Sequence, residues 1–132
     1  MTIEAGSDEE AVAFLDFLTR FESDHARRAF VFLHLAFCRF DGCSASIGRH
    51  GVMESLRIHD QGAWSYAFAP ARFWVTAWVR PPEYRKGRVN LAALSEVSAD
   101  ARDRGDAHFV VRLHDIAEAR RFHAVIADSR GD

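Results

Sequence analysis

Arg72-Phe-Trp-Val-Thr-Ala-Trp-Val-Arg80 is the clearest strand signal in the chain. Side chains alternate along an extended backbone, so Phe73, Val75, Ala77 and Val79 fall on one face. Arg72, Trp74, Thr76, Trp78 and Arg80 fall on the other. The first set is wholly apolar and reads as the core side. Pro81-Pro82 ends the strand, because proline cannot donate to the ladder.

Working upstream, Leu56-Arg-Ile-His-Asp60 meets Ala63-Trp-Ser-Tyr-Ala-Phe68 across Gln61-Gly62 in a hairpin, and Pro70 turns the corner into the strand above. Before that, Cys43, Ala45 and Ile47 alternate with Ser44 and Ser46, as in a half-buried strand. Phe40-Asp41-Gly42-Cys43 holds the Asp-Gly pair of a type I′ hairpin. Ala29 to Phe40 is apolar on every face and rich in Val and Phe in its first half, so residues 29–40 read as that hairpin's other strand. A buried helix is the alternative. In the strand register Cys38 and Cys43 are diagonal neighbours, slightly too far apart for an unstrained bridge, which predicts free thiols.

Helices flank these strands. Ser7 and Glu10 make a capping box, and Phe14, Phe17, Leu18 and Phe21 form a stripe at helical spacing, predicting a helix from Asp8 to Glu22. Glu83 to Arg88 reads as a loop. Leu91, Leu94, Val97 and Ala101 predict a helix over Asn90 to Arg104. If Leu94–Val97 is strand instead, the layout is similar to that of a pleckstrin-homology domain. Ala107 to Leu113 is a strand with Phe109, Val111 and Leu113 inward. Asp115 and Glu118 cap a last helix with Ile116, Ala119, Phe122, His123 and Ile126 on one side. The expected fold is α+β: one domain over residues 1–132, with residues 1–6 and 129–132 as flexible ends. Its curved antiparallel sheet has five or six strands, with an N-terminal helix and one or two C-terminal helices packed on one face.

The composition agrees with one ordinary globular core. The 132 residues are 48% hydrophobic and 27% charged, which excludes a disordered or collagen-like chain. A formal charge of -2 counts against a nucleic-acid binder, which normally shows a basic excess. The acidic start, MTIEAGSDEE, lacks the order of a secretory signal. The longest apolar stretch, Ala29 to Cys38, has about half the length of a membrane span. A cytoplasmic protein without a membrane partner is expected. Sixteen arginines against one lysine suggest a GC-rich coding sequence, as in bacteria or phage.

Chemistry is harder to find. The seven histidines show no paired ligand spacing, so no metal site is assigned. His34 and Cys38 are four apart, neighbours on a helix but about 13 Å apart on a strand. Cys38 or Cys43 with His34, His50 or His59 is the one nucleophile–base combination available for a small enzyme. Gly42, Gly48 and Gly51 make no phosphate cradle, and no cofactor motif is present. Arg104-Gly-Asp106 and Arg130-Gly-Asp132 read as helix stops, with glycine in the left-handed conformation. Arg49-His-Gly-Val52, Leu56-Arg-Ile58 and Trp74-Val-Thr-Ala-Trp-Val79 resemble segments of transglutaminase-like cysteine peptidases. In that pattern Thr76 stands where the family has its histidine and the family's aspartate is missing, so no catalytic residue is assigned from it.

The polar face of the first strand remains. Trp and Arg are the types most enriched at binding hot spots, since each combines large contact area with a polar handle. Arg72, Trp74, Thr76, Trp78 and Arg80 are therefore the candidate binding residues. The expected function is a non-enzymatic protein-binding module, an inhibitor, immunity-type factor or adaptor whose partner is another protein. The same row could serve a homodimer or, less readily, stack single-stranded bases. Should another layer cover this face, its tryptophans would instead be core.

Overall fold

The computed structural model describes residues 3–4, 6–50 and 53–132, apart from the side chains of Arg49, His50 and Met53. Along the chain run α1 (Asp8–Thr19), α2 (Asp24–Phe37), β1 (Cys43–His50), β2 (Met53–Asp60), β3 (Ala63–Pro70) and β4 (Val75–Val79). Then come α3 (Pro81–Lys86), α4 (Leu91–Val97), β5 (Arg102–Asp103), β6 (Phe109–Leu113) and α5 (Ile116–Arg130). The strands form one open antiparallel sheet in the order β1-β2-β3-β4-β6-β5. The fold is α+β, with an N-terminal helix pair and a C-terminal helix flanking six strands. No helix among the described residues is long and apolar enough to cross a membrane.

Residues 29–40 are helix, not strand. Ser23 starts α2 by accepting a hydrogen bond from the Ala26 amide at 3.2 Å. Ala26, Ala29, Phe30, Leu33 and Phe37 then turn inward at helical spacing. The cap and first buried alanine lie ahead of the apolar window, and packing overrides the strand propensity of Val and Phe. Asp41-Gly42, with Gly42 at φ 79, turns the chain from α2 into β1 instead of closing a hairpin. The same cap explains why α1 stops at Thr19 rather than Glu22. The amides of Glu22 and Ser23 donate to the Arg72 carbonyl at 2.8 and 3.1 Å, so the β3–β4 corner fixes the break between the two helices.

The β2–β3 hairpin forms across Gln61-Gly62, both at positive φ. Its ladder carries one irregularity. Ile58 pairs with Tyr66 while His59 pairs with Trp64, leaving Ser65 as the extra residue of a β-bulge. Downstream, several readings change. Residues 81–86 are a helix whose first residue is a proline, tolerated there because that N–H has no helical partner. The predicted Asn90–Arg104 helix ends at Val97, and Arg102–Asp103 pairs with β6. Leu94–Val97 is helical, so the pleckstrin-like alternative does not apply. Gly131 does end α5 in the left-handed conformation, whereas Gly105 sits in the β5–β6 turn. Ser129 and Arg130, expected in a flexible tail, complete α5.

The core lies between one sheet face and the helices. Ile47, Leu56, Ile58, Tyr66, Phe68, Val75, Ala77, Val79, Val111 and Leu113 face Phe17, Phe30, Leu33, Phe37, Phe122 and Ile126. Phe37 is its hub. That ring lies 5.0–6.0 Å from the rings of Phe40, Tyr66, Phe68, Phe122 and His123.

Candidate functional site

Strand parity leaves the opposite sheet face to the other half of each strand, and every tryptophan of the chain is there. On β4, Val75, Ala77 and Val79 are buried in the core while Trp74, Thr76 and Trp78 are partly exposed. Phe73 departs from the expected parity and is 53% exposed. It precedes β4, in a turn closed by the Ala71 amide on the Trp74 carbonyl. Trp74 donates from Nε1 to Thr76 Oγ1 at 3.1 Å and lies under the Arg112 guanidinium, 4.4 Å from the ring centre. Arg72 stands apart, exposed and paired with Glu22 at 3.2 Å.

Arg80 is just past β4, at the N-cap of α3, and reaches back over the sheet. Its guanidinium lies 3.5 Å from the centre of the Trp64 ring, and Nη1 donates to the Trp64 carbonyl at 2.6 Å. Arg57, nearly buried, lies over the same ring at 4.0 Å. Such contacts each contribute on the order of 0.5–1 kcal/mol near a surface. Room for Arg57 comes from β1: a Cβ on Gly48 would fall 1.8 Å from Arg57 Nε. Together Ser55, Arg57, Trp64, Ala67, Trp78 and Arg80 line a cleft of about 220 Å³, closed on the β5–β6 side by Arg104 and His108. No residue of α1, α2 or α5 lines it.

The field here is positive. Burial, then the neighbouring Arg57 charge, pulls the Arg80 pKa down. Burial, then Arg57 and Arg80, holds the His59 imidazole below its ordinary range, so it stays neutral beside Ser46 Oγ at 3.1 Å. At the rim, Asp106 approaches Arg104 at 3.7 Å and His108 at 3.3 Å.

The structure thus brings Trp74, Thr76, Trp78 and Arg80 together on one face and leaves Arg72 outside. Sequence reasoning missed Trp64, Arg57, Arg104 and His108. Trp64 has the parity of Tyr66 and Phe68 and reads as core until the bulge at Ser65 turns it outward. Gly48 was the available signal for Arg57, since a glycine inside a strand often marks a close approach.

The thiols offer a contrasting chemistry. As helix, α2 places His34 and Cys38 one turn apart, beside a cavity of about 280 Å³ lined by Glu10, Phe14, His34 and Ile47. His34 Nδ1 is buried without a partner among the described residues, and burial lowers its pKa against the pull of Glu10. Burial, reinforced by Glu10, raises the Cys38 thiol. Cys43 is pushed up to about 11 by burial first and then by Asp60. It shares the core-side parity of Ile47, whereas His59 is on the outer face, so those two do not meet. The His50 side chain lies outside the described residues. Both cysteines are free, and neither thiol is activated. Iodoacetamide at pH 7 is expected to label both more slowly than a model thiol, with the Cys43 rate still rising tenfold per pH unit above pH 9. Fast labelling at pH 6 to 7 would reverse this assignment. Among the described residues no group of three or more His, Cys, Asp or Glu side chains gathers around a common point.

The chain matches no protein-family model, no curated protein and no solved structure.

Proposed function

We propose that this protein is a binding module that docks another protein on the outer face of its sheet, acting as an inhibitor, immunity-type factor or adaptor. The observation that carries the reading is the collection of all three tryptophans with Arg57, Arg80 and Arg112 on a sheet face whose central cleft has no helical lining. Interfaces concentrate their binding energy in such residues. The stacked arginines also hold the indoles in place before a partner arrives, which lowers the ordering cost of association.

The test is affinity capture from the source organism's lysate, with and without nuclease, comparing wild type with a Trp74→Ala/Trp78→Ala variant whose circular dichroism matches wild type. A stoichiometric protein retained by wild type and lost by the variant is expected. Equal retention by both would remove this face from the interaction. A partner released by nuclease would move the reading to single-stranded nucleic acid, and a doubled mass in sedimentation that the variant abolishes would identify the partner as a second copy.

A further inference from the structure

We infer that the cleft between Trp64 and Trp78 receives the carboxylate of an acidic side chain projecting from the partner protein. The inference rests on the sheet face being the docking surface and concerns what that surface recognises.

Charge comes first. Among the described residues three arginines and a histidine line the cleft and no carboxylate does, with Asp106 at the rim beside Arg104 and His108. Arg80 uses one of its donors on the Trp64 carbonyl, and no ion pair to Arg80 forms among the described residues. A guanidinium has five in-plane N–H donors, and stacking on an indole occupies its face rather than its edge. It therefore keeps the fork that matches a carboxylate in two parallel hydrogen bonds.

Size and wall chemistry narrow the ligand. Pockets for free small molecules usually enclose roughly 300–1,000 Å³. This cleft, at about 220 Å³, fits one side chain instead. Trp64, Trp78 and Ala67 give it apolar walls that suit the methylenes of Glu or Asp. A polyphosphate chain is disfavoured by the surroundings: Asp103 and Asp106 flank Arg104, and the protein carries a net charge of -2. A phosphate strand crossing the face would run past both carboxylates, whereas a single acidic side chain directed at Arg80 would meet only Asp106, at the rim beside Arg104 and His108.

The probe is a library of short random peptides displayed on phage and selected on the intact protein. Binding of each selected peptide is then read by intrinsic fluorescence, which here reports the outer face because all three tryptophans are on it. Selected peptides should share an Asp or Glu. Replacing that residue by Gln or Asn should weaken binding about tenfold or more, and Arg104→Gln, at an exposed rim position outside the core, should weaken it severalfold. Arg80→Gln should weaken it further, with thermal unfolding confirming that the variant is folded.

The outcomes separate the two levels of the argument. Peptides that need Trp78 but tolerate Glu→Gln overturn the carboxylate inference and leave the docking face standing. Peptides that bind the Trp74→Ala/Trp78→Ala variant as well as wild type overturn both. Preferential quenching by oligothymidine, lost at high salt, would replace the acidic side chain with a phosphate backbone.

Discussion

Phe37→Ala is expected to lower the unfolding free energy by about 3–5 kcal/mol, the usual cost of truncating a fully buried phenylalanine. The phenyl ring is inaccessible and sits among five aromatic rings contributed by the sheet, α5 and the α2–β1 turn. These neighbours belong to different elements, so they cannot close the vacancy by a single shift, and a cavity penalty adds to the lost transfer energy. A domain of this size typically has about 5–15 kcal/mol in total. The variant should therefore melt on the order of 10–20 °C below wild type, or fail to accumulate folded. Leu35→Ala, at a 54% exposed position on the same helix, should stay within about 0.5 kcal/mol of wild type. Equal effects at the two positions in urea unfolding would contradict the helical assignment of residues 24–37.

Arg130→Ala should cost nearly as much, about 3–5 kcal/mol, by a different route. Arg130 ends α5 and reaches the sheet, donating to the nearly buried Asp60 carboxylate and to the Asp41 carbonyl at 2.8 Å. Its guanidinium also covers the Phe40 ring at 4.6 Å and donates to Cys43 Sγ at 3.6 Å. Removing it leaves the Asp60 charge desolvated without its ionic partner, which is the costly case. Combining Arg130→Met with Asp60→Asn should recover most of the loss, because neither charge then remains and the alkyl packing is kept. The check is a double-mutant cycle by urea unfolding. Additive losses in that cycle would show that Arg130 contributes packing rather than charge.

Much of the fold was legible where one physical rule acts alone. Alternation gave Val75, Ala77 and Val79, and the capping residues Ser7 and Asp115 mark the starts of α1 and α5. Reading failed where two rules compete. In residues 29–40, strand-favouring side chains lie on a helix nucleated from outside the window, and only contact with Phe122 and the sheet decides between them. Phe73 was placed inward because alternation was extended two residues past the true start of β4. For the candidate face, Trp74, Thr76, Trp78 and Arg80 were visible as one strand's outward row. Arg57, Arg104 and His108 come from other elements, and only strand pairing brings them near.

Trp64 shows what kind of information the rest is. Its outward placement depends on one unpaired backbone residue, Ser65, whose hydroxyl donates to the buried Glu83 carboxylate at 2.9 Å. A single codon gained in β2 between Ile58 and His59 would leave every aromatic and basic residue of the face encoded, yet pair Ser65, restore regular alternation and turn this indole toward the interior. The surface is thus inherited partly as chain length. Lineages that keep the same residues but differ by one position in this hairpin would present different faces.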